Sequence, residues 1–141
     1  MSYKRIAILS LIIIAIEGFV YFDYHRVLID FKNLKSFLND TRYSAIKDQR
    51  SFIVRFKGGQ AELYSLENVF IRKIEIPTLH QVHYDTKKGK DMIIFTPGGT
   101  HPYNTRIHGG DIRLRSWCGF KKNIAVNCNG FVSEGVYPEG S

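Results

Sequence analysis

The chain has 141 residues, 44% of them hydrophobic, and carries 20 Lys and Arg against 13 Asp and Glu for a formal charge of +7. That length gives room for one modest domain beyond an anchor and excludes a second. The positive balance favours anionic partners such as nucleic acid, glycans or lipid head groups, but is silent on fold.

Residues 6–22 form an apolar run broken only by Ser10, Glu17 and Gly18 and entered through Lys4 and Arg5. A membrane-spanning helix needs about 20 mostly apolar residues, with a lower limit near 17, so the run just reaches. Because positive charge stays on the cytoplasmic side, Lys4 and Arg5 predict an N-terminus inside and the rest of the chain outside. Tyr3, Tyr21, Phe22 and Tyr24 supply aromatic rings near the two interfaces. The expectation is a single-pass membrane anchor over residues 1–23 and an extracytoplasmic domain over residues 24–141, outside the cell or in a periplasm. Lys4, Arg5 and Glu17 leave +1 on the anchor and +6 on that head. A cleaved secretory signal is the competing reading, since residues 6–16 have the length of its apolar core, although no small-x-small cleavage site follows. Glu17 is costly at depth in hydrocarbon unless it lies near the outer surface or pairs with a positive group on a neighbouring copy. Both readings of Glu17 remain open from sequence.

Past the run, Val27, Phe31, Leu34, Leu38, Ala45 and Ile46 recur at three- and four-residue steps, while Asp30, Lys32, Lys35, Asn39, Asp40 and Lys47 fill other positions. This predicts an amphipathic helix to about residue 50. No breaker separates it from the anchor, so the two are expected to form one rod of roughly 40 residues, about 60 Å long. From residue 51 the pattern turns to strands. Runs at 51–57 and 61–64 flank Gly58-Gly59, a hairpin signal. Further strands are expected over 69–76, 79–84, 91–96, 111–117, 123–127 and 131–136. The fold class is therefore α+β, a long N-terminal helix packed on a mostly antiparallel sheet.

An even cysteine count in an exported domain favours a Cys118–Cys128 disulfide. If the last strands form a tight hairpin turning at residues 119–122, however, the two cysteines stand too far apart, and a bridge needs a wide or irregular loop. His80 and His83 would point to opposite faces of a strand and so read as exposed histidines, not as a metal site. Gly98-Gly99 and Gly109-Gly110 open no helix and precede no Gly-Lys-Ser/Thr, which makes them turns and not phosphate cradles. No nucleophile elbow, Cys/His couple or carboxylate pair is recognisable, so neither catalysis nor a cofactor or small-molecule substrate is expected. Basic residues cluster at Arg72 and Lys73, at Lys87, Lys88 and Lys90, and at Arg106, Arg113, Arg115, Lys121 and Lys122. They read as solvated edge and turn charges that deter aggregation. The alternative is a contact to duplex DNA through Arg113, Arg115, Lys121 and Lys122, with Trp117 and Phe120 beside them for stacking.

Two stretches resemble the pseudopilins and minor pilins of the GspH/FimT type. One is the helical segment with Leu34, Phe37, Arg42, Ala45 and Ile46, similar to that family's leucine-rich helix ending in Arg-x-x-Ala-Ile. The other is the C-terminal third, with Ile93 to Phe95, Gly98 and Thr100, then Gly109, Ile112 and Leu114, Trp117-Cys118, and Asn123, Val126, Gly130 and Val132. The likeness spans most of residues 24–135. It implies a non-enzymatic subunit whose hydrophobic helix packs in a filament core, at or near the tip of a type II secretion pseudopilus or a type IV pilus, where it helps start assembly with other pilin-like subunits. Some members of the family are linked with DNA uptake. The opening departs from the pattern: the family's Gly and Phe-Thr-Leu-Ile-Glu-like segment does not precede the apolar run, whose acid, Glu17, comes near its end. Gly18-Phe19 with Asp23 has that spacing, but no apolar stretch follows it.

Overall fold

A computed structural model describes residues 2–83, 85–86, 89–100, 110–127 and 129–135. Helix α1 runs without interruption over Tyr3–Asp48, 46 residues, or about 69 Å at helical rise. The Ser2 hydroxyl accepts the Arg5 N–H at its start, one of the orphan donors that every helix N-terminus leaves. Its stop has no glycine or proline; Gln49 takes a left-handed conformation (φ 51°), and both its N–H and that of Arg50 return to the Ala45 carbonyl.

Among the described residues, eleven antiparallel strands follow: β1 (Phe52–Lys57), β2 (Gln60–Ser65), β3 (Phe70–Glu75), β4 (Leu79–His83), β5 (Asp85–Thr86), β6 (Gly89–Lys90), β7 (Met92–Thr96), β8 (Gly99–Thr100), β9 (Gly110–Arg115), β10 (Lys121–Val126) and β11 (Val132–Gly135). They build a five-stranded sheet ordered β3-β2-β1-β7-β8, a four-stranded sheet ordered β11-β10-β9-β4, and the small β5-β6 ribbon. Each longer run expected from sequence is a strand. The single sheet expected is instead divided into two main sheets. Gly58 and Gly59 adopt φ of 57° and 75°, the left-handed pair that a two-residue hairpin with native twist requires.

The head-facing stripe of α1 is Asp23, Val27, Asp30, Leu34, Phe37, Leu38, Thr41 and Ala45. Its apolar members close one core with Val54, Phe95, Ile112, Leu114, Ile124 and Val126, which draws residues from both sheets. β7 is buried on both faces, since Met92 and Ile94 join Ile53 in a second cluster behind the first sheet. Two sequence expectations change here. Asp30 lies in the buried stripe and not on the polar face, while Ile46, expected in the stripe, is exposed. The reason is that a carboxylate can be buried where turn N–H groups meet it, and Asp30 accepts both the N–H (3.0 Å) and the hydroxyl (2.6 Å) of Thr78.

Below Val20 the helix is exposed along its whole length. An N-terminal stretch of α1 is long and apolar enough to cross a membrane, and nearly all of it is exposed. That exposure distinguishes it from the core helix of a soluble protein, whose apolar residues are covered.

Candidate functional site

The loop joining β9 to β10, residues 116–120, meets α1 where the apolar run ends. The Ser116 N–H donates to the Phe120 carbonyl (2.9 Å), the Gly119 N–H donates to Ser116 (3.1 Å), and Gly119 sits at φ 89°. This tight turn aims successive N–H groups at one point. Asp23, the first residue beyond the apolar run, fills that point: its carboxylate accepts the N–H of Trp117 (3.2 Å) and of Cys118 (2.8 Å), and its side chain is fully covered. Arg26 pairs with it at 3.3 Å. Burial pushes the Asp23 carboxyl up, but hydrogen bonds from Ser116, Cys118 and Trp117 outweigh it and bring the group down to about 2. Desolvation, then the neighbouring Asp23, pushes the Cys118 thiol upward, which keeps it protonated and unreactive near neutrality.

Aromatic rings surround this latch. The Arg26 guanidinium lies 3.6 Å from the Trp117 ring centroid, and Phe19 stacks on the same indole at 5.9 Å and 5°. Tyr24 meets Phe120 edge-on at 5.1 Å. At the opposite end of β10, Arg42 lies 4.2 Å over the Phe131 ring, and its side chain packs where Gly130 turns at φ 82°. The hairpin thus lies along α1, its 116–120 loop toward the anchor and its far end against Arg42.

The residues expected to contact DNA are divided by this geometry. Lys121 and Lys122 lie within β10 and not in a turn at 119–122. Cross-strand register places Lys121 opposite Arg115 and Asn123 opposite Arg113, on one face. Lys122, opposite Leu114, takes the other face, where its amine pairs with Glu134 at 2.7 Å and lies 5.3 Å from the Phe31 ring centroid. Arg113 pairs with Asp111 and donates to Gln81. Phe120 is engaged by Tyr24 and the core, and Trp117 by Phe19 and Arg26. Arg115 and Lys121 are exposed together at the loop end.

Cys118 is a free thiol, and Cys128 lies outside the described residues. Cys118 and Asn127 stand beyond opposite ends of the six-residue β10, about 20 Å of strand. Among the described residues, β10 between them is a regular strand with no wide loop. Glu17 is exposed and, six residues before Asp23, lies about 120° around the helix from it, away from the face that Asp23 turns to the 116–120 loop. The spacing of Gly18-Phe19 with Asp23 likewise has a local explanation, because the head's own loop occupies that acid. β4 slips register between Leu79 and Gln81, which interrupts strict alternation at His80; His80 and His83 are both exposed. Among the described residues, no three His, Cys, Asp or Glu side chains stand together as metal ligands. Of the expected glycine turns, Gly98 lies in the turn between β7 and β8, Gly99 begins β8, Gly110 begins β9, and Gly109 lies outside the described residues, as do Arg106 and the side chains of Lys87, Lys88 and Lys90.

This chain is similar in structure to a known crystal structure, that of the type IV minor pilin FimU from Pseudomonas aeruginosa. The two superpose with a TM-score of 0.60 at 12% identity, over 82% of this chain and 92% of that one. The fold is that of a pilin. No protein-family model and no curated protein matches the sequence. Within this pilin fold, the helix-to-loop latch at Asp23 was missed in the sequence, although Asp23, Val27, Asp30 and Leu34 keep the three- and four-residue steps that mark one helix face.

Proposed function

We propose that this chain is a non-enzymatic structural subunit, a diverged minor pilin or pseudopilin held in a bacterial inner membrane by residues 6–22 with its head in the periplasm. It helps initiate or cap a type IV pilus or a type II secretion pseudopilus. The observation that carries this reading is the continuity of α1: a single 46-residue helix leaves its first five turns bare and commits the rest to the head. Such a rod can exchange lipid for neighbouring helices without refolding. The pilin fold supports the same reading. So does the outer edge of the five-stranded sheet, where β3 and its approach expose Val69, Phe70 and Ile71, a lateral surface of the kind that neighbouring heads cover.

Affinity capture of the intact chain from membranes should recover other pilin-like subunits. Substituting Ile12→Glu within the bare segment should abolish that recovery; capture of none by the unaltered chain would count decisively against the assignment.

A second reading, a minor pilin that binds DNA during uptake, rests on Arg115 and Lys121 standing exposed and side by side across the hairpin.

A further inference from the structure

We propose that the Trp117 loop is a second membrane contact, seating the head on the outer lipid surface through phospholipid head groups. The inference rests on reading residues 6–22 as a spanning anchor and goes beyond it, because it gives the folded head its own lipid surface.

The first argument is depth. Trp117 stacks on Phe19 at 5.9 Å, and Phe19 lies three residues inside the end of the apolar run, about 4.5 Å below Phe22 along the helix. Helical side chains lean toward the N-terminus, which carries the Phe19 ring deeper still. With the run in hydrocarbon, an indole stacked on Phe19 stands in the interfacial layer. The second argument is exposure. Despite Phe19 and Arg26, Trp117 remains 68% exposed, and Tyr21, Phe22 and Tyr24 are exposed at the same level of the helix. Tryptophan and tyrosine rings concentrate at this depth because one part is apolar and another donates hydrogen bonds.

Charge supplies the third argument. Arg26 sits on the indole face, and Arg115 and Lys121 stand at the loop end of the hairpin, cations positioned for lipid phosphates just above a buried ring. The Asp23 latch fixes the loop against the helix, so the surface is presented wherever the helix goes.

Trp117 is the single tryptophan of the chain, so its emission reports this site alone. The full chain is reconstituted in nanodiscs of phosphatidylethanolamine and phosphatidylglycerol that carry bromine either near the head group or deep in the acyl chains. The expected result is blue-shifted emission, quenched at least twofold more by shallow than by deep bromine, and little affected by aqueous iodide. A companion Ile12→Trp, Trp117→Phe variant tests the anchor separately and should be quenched most by deep bromine. If the companion responds while Trp117 remains open to iodide, the proposal falls and the anchor stands; if neither responds to bromine, both fall. Shielding of Trp117 that appears only at high protein-to-lipid ratio, or only after duplex DNA is added, also overturns it, in favour of a second copy or of nucleic acid.

Discussion

Asp23 is the residue on which the junction between rod and head turns. Its carboxyl, ordinarily near 3.8, is brought to about 2 in the folded chain. A group whose folded value is depressed contributes stability above its unfolded value and loses it as acid protonates the folded form. Docking of the loop on α1 should therefore hold at pH 5 and weaken progressively from about pH 4 down to pH 2. Trp117 emission of the full chain in micelles reads this directly, and Asp23→Asn should remove the acid-dependent step while weakening docking at neutral pH. Identical acid titrations of the two proteins would show that the carboxylate has no such role. Asp23 and Asp30 also mark the limit of what the sequence disclosed. An acid between apolar residues reads as a polar-face residue until the N–H groups that meet it are known, and those come from Trp117, Cys118 and Thr78, far along the chain.

Elements were more legible than their partners. The strands were readable because glycines with left-handed freedom punctuate them and because residues such as Ile112 and Leu114 alternate with Arg113 and Arg115. The division into two sheets was not readable, because it depends on β4 pairing with β9 and β1 pairing with β7, both long-range choices. β8, β5 and β6 are two residues each, too short for any period. Within α1 the two halves make opposite demands. Leu38 is fully buried at the centre of the core, so Leu38→Ala should destabilise the head by about 2–5 kcal/mol, through lost burial and the cavity left behind. Ile13→Ala, in the bare segment, should leave head stability within about 0.5 kcal/mol. Denaturant unfolding of both variants in micelles, followed at Trp117, checks the contrast; equal losses would mean that the segments are not separate in function.

For the molecule as a whole, charge and shape point to different surfaces. Within the net +7, Arg113 and Lys122 are only partly exposed while Arg115 and Lys121 are exposed. If duplex DNA is the ligand, a contact through Arg115 and Lys121 gives a slope of about −1.8 in log affinity against log salt, whereas engagement of all four basic residues gives about −3.6. Titration of the full chain in micelles across salt concentrations distinguishes these, with the shallower slope expected. No binding at low salt would remove nucleic acid from consideration.

The unbroken helix has one more consequence. Spanning helices tilt by about 20° from the bilayer normal on average, and between Asp23 and Asp48 this chain offers neither a proline nor a glycine at which to bend back. The lean of the buried half is therefore inherited by everything above it, sweeping the distal end of the head roughly 13 Å sideways over a lever of about 39 Å. The direction of that lean, set by packing and by the interfacial aromatic and basic anchors, would decide which flank of the subunit greets an arriving neighbour.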